Sequence, residues 1–370
     1  MIPEQVDVSV LTTGHDVADA RLHRLTAVLV AQGLSVEVDG LGSPSSGPPE
    51  VRVRAVPRRS LGHRMLRSML LPWTARGRVL IVLDPDLVLP ALVRRWMSRW
   101  SGDRRRVVAD VHEDYMKTLF DRSWAHGISL VAARLVVAGA LRASTRADAT
   151  VVVDDYLPPH RPRSRLVVRN LPIFDMLPPP SQPEPTPRAL YVGDVRRSRG
   201  LRTMLSVLEA CPEWSLDVVG PVAAADRRWL ANWRATSPAR DRVRFHGRRP
   251  PRDAWQLASG AWVGLCLLDP TPAFVAAMPS KILEYLACGL TVVTTPLPRA
   301  AALIVEAGAG AVVADVAAAT ETLRAWTDRP AQIAVHQAAA RAWAYENLSQ
   351  SDSYREFGRM MARLARTEQS

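Results

Sequence analysis

"MLPPPSQPEPTPR", Met176–Arg188, is the stretch on which the architecture turns. It holds six prolines and no apolar periodicity. Proline fixes φ and removes a backbone donor, so such a run forms neither a core helix nor a central strand. It reads as a stiff linker over residues 176–188. The same alternation flanks it on both sides. Before it, "VDVSVLTT" (Val6–Thr13) is a strand and "DARLHRLTAVLVAQG" (Asp19–Gly33) a helix stopped by Gly33. "SVEVDG", "EVRVRAV", "RVLIVL" and "RRVVADV" are further strands, most of them separated by helical periodicity. After it come "ALYVGD", "SLDVVG", "RVRFHG", "WVGLCLL", "LTVVTT" and "GAVVAD", again with helices between. Near-continuous apolar strands alternating with helices predict parallel sheets covered on both faces. A chain of 370 residues is also long for one core. The expected fold is α/β, with Rossmann-like domains over residues 1–175 and 189–345, and a C-terminal helix, 346–370, packed back on the first domain. Ligands of such sheets bind beyond the carboxyl ends of the strands, which predicts two domains facing across a cleft.

The composition is 48% hydrophobic and 23% charged, that of a globular chain. A net charge of +12 and a pI near 10.6 predict an anionic partner, a nucleotide phosphate or a lipid headgroup. There is no RNP-like aromatic run, helix-turn-helix signal or zinc-finger spacing, so no nucleic-acid partner is expected. Cys211, Cys266 and Cys288 lie in or beside apolar runs without a CxxC pair, as small buried residues of a reducing compartment do. The start, "MIPEQVDVSVLTTG", has no basic n-region and does not read as a signal peptide. "ISLVAARLVVAGAL" contains Arg134 and falls short of the roughly 20 residues a span needs. "RRSLGHRMLRSMLLPWTARGR" (Arg58–Arg78) and "RRWMSRWSGDRRR" (Arg94–Arg106) mix arginines with leucine, methionine and tryptophan. Such segments suit an anionic membrane surface, or else are solvated helix faces. The expected location is cytoplasmic, peripheral to the inner face of the membrane.

Neither G-x-G-x-x-G after a strand nor a Walker lysine motif occurs, which removes the main support for dinucleotide and P-loop readings. Four other segments carry candidate chemistry. In "MPSKILEYLACG" (Met278–Gly289), Lys281 is one of only two lysines in the chain. A helix beginning near Pro279 would aim its amides beyond the sheet edge, with Met278, Pro279 and Ser280 at its mouth. Lys281 and Glu284 share one helical face. The lysine suits phosphate and the glutamate a cis-diol such as ribose, an exposed ion pair being the alternative. In "YVGDVRRSRGL" (Tyr191–Leu201) the strand ends at Gly193, and Arg196, Arg197 and Arg199 cluster before the next helix, where guanidinium forks match a diphosphate. In "ADVHEDY" (Ala109–Tyr115) His112 and Glu113 stand at a strand's carboxyl end, while Asp114 reads as a helix cap. In "TTGHDVADARLHR" (Thr12–Arg24) Gly14 permits close backbone approach, Asp19 is an N-cap or a ligand, and Arg21 begins the helix. The acidic doublets Asp84-Pro85-Asp86 and Asp154-Asp155 lack His or Glu partners, so no metal is expected.

In this order the four segments resemble a retaining glycosyltransferase of the GT-B class, family 4, over nearly the whole chain. "DPDLV…VVADVHEDY" resembles a subgroup with an Asp-Val-His-Glu-Asp-Tyr segment, "VVRNLP" (Val167–Pro172) its pre-linker segment, and "LYVGDVRRSRGL" the phosphate loop. "MPSKILEYLACGLTVVTT" resembles the nucleotide-sugar helix. The resemblance implies that Arg196 and Arg199 hold the donor diphosphate and Glu284 the ribose hydroxyls. It also implies that residues 277–280 present amides, and that Gly14 and His112 lie beside the transferred sugar. The family's first glutamate would fall at position 276, which here is Ala276, and its usual lysine in the phosphate loop is Arg199. The implied reaction moves a sugar from a nucleotide-diphosphate donor to a glycan or lipid-linked acceptor, with Asp19, Arg21 and Glu113 on the acceptor side. A sugar-nucleotide epimerase on the same fold and a degenerate nucleotide-sugar-binding protein are the alternatives.

Overall fold

The computed structural model describes residues 6–100, 102–119, 125–348 and 352–366. The leader reading at residues 1–5, and the parts of the C-terminal helix reading at 349–351 and 367–370, lie outside the described residues. The chain forms two compact units, Met1–Asn170 with Ser351–Ser370, and Leu171–Gln350.

The first unit runs β1 (Val8–Asp16), α1 (Ala20–Ala31), β2 (Val36–Leu41), β3 (Arg52–Val56), α2 (Leu61–Thr74), β4 (Val79–Val82), α3 (Pro85–Ser98), β5 (Arg106–Val111), α4 (Tyr115–Thr118), α5 (Gly127–Ser144), β6 (Ala149–Val152) and β7 (Arg165–Val167). All pairings in its seven-stranded sheet are parallel, in the order β3-β2-β1-β4-β5-β6-β7. The second unit runs β8 (Arg188–Val192), α6 (Leu201–Ala210), β9 (Ser215–Val219), α7 (Arg227–Thr236), β10 (Val243–Gly247), α8 (Pro251–Gln256), β11 (Val263–Cys266), α9 (Pro272–Val275), α10 (Ser280–Ala287), β12 (Thr291–Thr294), α11 (Pro298–Ala307), β13 (Gly310–Val312), α12 (Val316–Asp328) and α13 (Ala331–Leu348). Its six parallel strands are ordered β10-β9-β8-β11-β12-β13. A last helix, α14 (Asp352–Arg366), belongs to the first unit and packs on α1.

Strand periodicity explains why both faces of the second sheet are dry. On β8, Ala189 and Tyr191 enter a core with α6 and α12, while Leu190 enters the opposite core with α10, α11 and α13. In each sheet the strand order reverses once, between β1 and β4 and between β8 and β11. The connections diverge there and leave a crevice at the carboxyl edge, which puts the ends of β1 and β8 at the natural ligand positions.

The structure differs from the sequence reading in four places. The Pro-rich stretch is part of the second unit, since the division falls at residues 170 and 171. Its polar groups tie it down: Glu184 N–H donates to the Gly260 carbonyl at 2.9 Å, and the Trp262 indole donates to the Glu184 carbonyl at 2.6 Å. The Glu184 carboxylate also accepts from Arg188 at 2.7 Å. The expected helix over residues 346–370 is two elements, because α13 ends at Leu348 in the second unit before α14 starts in the first. The short strands β6 and β7 had too few residues to show a period. The apolar run read as too short for a span is the 18-residue helix α5, long and apolar enough to cross a membrane by length and composition.

Candidate functional site

At the edge of the second sheet, β8 ends in Val192 and Gly193 turns the chain with φ of 137°. That positive φ matters because a Cβ at Gly193 would stand 3.1 Å from Lys281 Nζ. Asp194 follows and accepts from Arg196 Nη2 at 2.7 Å. Burial alone would raise the Asp194 pKa, but Arg199, Arg196 and Arg248 outweigh it and hold the carboxyl below its ordinary range. Arg199 closes the loop, its guanidinium 5.4 Å from the centre of the Phe274 ring on α9. The loop after β8 is thereby joined to the segment that delivers α10.

Helix α10 is held against the sheet by Tyr285. Its hydroxyl lies 3.2 Å from the Leu190 and Leu265 carbonyls and accepts from Val192 N–H at the same distance. Its N-cap is Pro279, which offers no capping side chain, so the first amides, beginning at Ser280, have no side-chain acceptor at that end. Met278, Pro279 and Ser280 are half-buried there. Lys281 and Glu284 are 7% and 6% exposed, which excludes the exposed ion pair. The Lys281 ammonium lies 3.9 Å from the centre of the Tyr191 ring and makes no hydrogen bond among the described residues. A buried, unsatisfied ammonium is costly and marks a place where an anion belongs. Tyr191, which the sequence did not single out, is itself oriented by donating to the Asp194 carbonyl at 2.7 Å. Ala276, where the resemblance places a glutamate, ends α9, and its carbonyl accepts from Arg299 at 3.2 Å.

At the edge of the first sheet the Asp84-Pro85-Asp86 doublet organises the end of β1. Asp84 accepts from Thr12 Oγ1 at 2.5 Å, Thr13 N–H at 2.9 Å and Gly14 N–H at 3.0 Å, while Asp86 takes Arg64 at 2.8 Å. A Cβ on Gly14 would meet Asp84 Oδ1 at 2.5 Å. The space that Gly14 frees is therefore filled by Asp84, which also takes its N–H. Among the described residues no group of three His, Cys, Asp or Glu could hold a metal ion.

Arg21, expected on the acceptor side, is held within the first unit. It is 4% exposed, its Nε and Nη2 grip Asp110 at 2.7 and 2.6 Å, and Nη1 donates to the Val168 carbonyl and to Asn170. Its donors are consumed inside the unit, leaving little for an acceptor. Asp19 caps α1 by accepting from Arg21 and Leu22 N–H, and Asp114 caps α4 through Lys117 N–H. Glu113 is half-buried beside them.

His112 is met by His15, which the sequence reading passed over although it sits four residues before Asp19 at a strand end. The two Nε2 atoms are 3.1 Å apart. Burial disfavours a charged His15, but Asp84 and Asp19 outweigh it and lift its pKa to about 9. Burial and the His15 charge push the His112 pKa down. A charged His15 thus donates to a neutral His112, whose Nδ1 is left to donate to the Tyr115 hydroxyl 3.4 Å away.

The raised His15 pKa gives stability that is fully present below pH ~6.5 and lost as pH rises through about 9. Its full size is on the order of 3 kcal/mol. His112 works in the opposite sense, its contribution being lost as pH falls below ~6.5. Urea midpoints of wild type and His15→Gln should therefore differ most near neutral pH and converge above pH ~9. Parallel curves across that range would remove the charged pair.

The family model for glycosyl transferases group 1 matches residues 186–328. A comparison with curated proteins found no match. Among solved structures the chain is similar to sucrose-phosphate synthase from Thermosynechococcus elongatus, with a TM-score of 0.70 at 16% identity over 98% of this chain and 99% of that one. It is similar to Anabaena HepE in complex with UDP-glucose, with a TM-score of 0.65 at 13% identity, covering 97% and 98%. WaaG, a glycosyltransferase involved in lipopolysaccharide biosynthesis, gives 0.61 at 17% identity, covering 96% and 99%. Residues 186–328 are thus similar in sequence to the group 1 glycosyl transferases, and the chain has the two-sheet GT-B fold of such enzymes.

Proposed function

We propose that the protein transfers a sugar from a nucleotide-diphosphate sugar to an acceptor hydroxyl, with retention, as a family 4 enzyme of the subgroup carrying the Asp-Val-His-Glu-Asp-Tyr segment. The single observation that carries this reading is the buried Lys281 ammonium without a hydrogen bond, beside Gly193 and the loop of Arg196 and Arg199. In transfer the bond from the anomeric carbon to the diphosphate breaks, a bond to the acceptor oxygen forms, and charge builds on the leaving diphosphate. Lys281, Arg196, Arg199 and the α10 N-terminus are the groups proposed to stabilise that charge. Amides of residues 277–280, with Met278, Pro279 and Ser280 at the helix mouth, line the same place. Glu284 is assigned the ribose hydroxyls, and no metal is required by this scheme. A neutral His112, oriented by His15, is assigned to the transferred sugar, with Asp19 and Glu113 toward a glycan or lipid-linked acceptor. The complex of Anabaena HepE with UDP-glucose supports a nucleotide-sugar donor by analogy of fold. A cytoplasmic location, peripheral to the membrane, completes the reading.

Thermal shift against uridine, guanosine, adenosine and thymidine diphosphate sugars tests it. At least one should stabilise the protein, and stabilisation by none of them sinks the nucleotide-sugar reading. With the donor identified, Glu284→Ala should weaken its binding by about 1–3 kcal/mol through lost paired hydrogen bonds. Unchanged affinity by calorimetry would remove the ribose role.

A further inference from the structure

Three helices of the first unit present their apolar residues outward. α3 packs between α2 and α5. On α2 the exposed positions include Leu66, Met69, Leu70 and Trp73, and on and just beyond α3 they include Val93, Trp96 and Trp100. On α5 they include Ile128 at 89% and Leu135 at 70% exposure. The spacings of three, four and seven residues keep each set on one helical face. The opposite faces are buried, through Leu71 on α2, Leu87, Val88 and Ala91 on α3, and Val137, Ala140 and Ala143 on α5, so the outward apolar residues are additional to the packed face. Only 22% of α5 is buried, although its length and composition would let it cross a membrane. A contiguous apolar surface of this kind marks an interaction site.

We propose that this three-helix face docks sideways on an anionic lipid bilayer. The charge pattern selects that occupant. The three helices carry six arginines and one carboxylate, Asp86; Arg64 engages Asp86 at 2.8 Å, and Arg94 and Arg95 meet Asp103 and Asp148 of neighbouring loops, which leaves the face net positive through its other arginines. A second copy seated on the same face would set like charges against each other, whereas anionic headgroups neutralise them. Arginine stems can lie along the apolar surface with their heads at the phosphates, and tryptophan favours the interface. Arg94 already stands over the Trp73 ring at 5.3 Å, between α3 and α2. α5 connects to β5 and β6 of one parallel sheet, so it lies along that sheet and meets lipid with its flank.

The inference does not depend on the transferase reading, because its test reads binding alone. The full chain is floated with vesicles of phosphatidylcholine, or of phosphatidylcholine with about a third phosphatidylglycerol. The wild type should float with the anionic vesicles and far less with the neutral ones. Leu70→Glu/Trp96→Glu/Leu135→Glu should lower partitioning on the order of 100-fold or more, since each change removes an inserted apolar side chain. A wild type that stays in solution, or a variant that floats equally, overturns the proposal. If light scattering instead shows a wild-type dimer that the variant makes monomeric, with no flotation, the face joins two copies and the proposal falls. Should the variant misfold, quenching of wild-type tryptophan fluorescence by brominated anionic lipid decides: quenching supports insertion and its absence refutes it.

Discussion

Lys281→Met is expected to lower kcat/KM by roughly 10²–10³-fold, the loss typical of removing one preorganised charge donor, while leaving the unfolding midpoint unchanged or raised. The two effects have one cause. The ammonium is 7% exposed and, among the described residues, without a hydrogen bond, so the free protein bears its desolvation with the Tyr191 ring, 3.9 Å from centre to nitrogen, as partial compensation. Methionine keeps the stem's volume and removes the unsatisfied charge. A residue that is there for structure loses stability and activity together, whereas a residue kept for an anion loses activity alone. Steady-state kinetics with the identified donor, beside thermal unfolding, separates the cases. An unchanged kcat/KM, or a midpoint that falls in step with activity, would take Lys281 out of the site.

Arg21→Ala is expected to destabilise the protein by about 3–5 kcal/mol, because it strands a buried carboxylate. Asp110 is 3% exposed and loses a bidentate partner at 2.6 and 2.7 Å, while the Val168 carbonyl and Asn170 lose a donor. Replacing both members of the pair, as Arg21→Leu/Asp110→Leu, should recover much of the loss, since two apolar side chains leave no uncompensated charge. Urea unfolding of the three variants measures this. A single variant within about 1 kcal/mol of wild type, with a raised KM for acceptor, would return Arg21 to the acceptor side.

Much of the pattern in the second unit was legible in the sequence because it is local. Each of β8 to β13 was visible as a short apolar run. Lys281 stood out by rarity, and Glu284 by its spacing from Lys281. The Asp19 cap could be seen beside its own helix. What escaped is set by partners far along the chain. The His15–His112 pair is 97 residues apart, and Arg21 meets Asp110 across 89. A polar residue at a strand end looks the same in sequence whether it faces a ligand or a buried counter-ion. Tyr191 reads as an ordinary strand aromatic until Lys281 is found over its ring.

The sequence by itself determined the alternation of strand and helix, hence two parallel sheets, and the loops at whose ends ionisable residues gather. Those follow from local propensity and from a period of two or 3.6 residues. Only the tertiary structure decided which charges are spent and which remain available. Arg21 and Asp84 are consumed by neighbours, while the Lys281 ammonium is left without a hydrogen bond. It also decided which face of α2, α3 and α5 is outside. Periodicity ordinarily marks the buried side, but here large apolar residues lie on both sides: Leu71, Leu87, Val88 and Val137 pack inward while Leu70, Trp96 and Leu135 do not. The physical reason is common to both: burial and pairing depend on what the other elements bring within a few ångströms, and that is not written in any one segment.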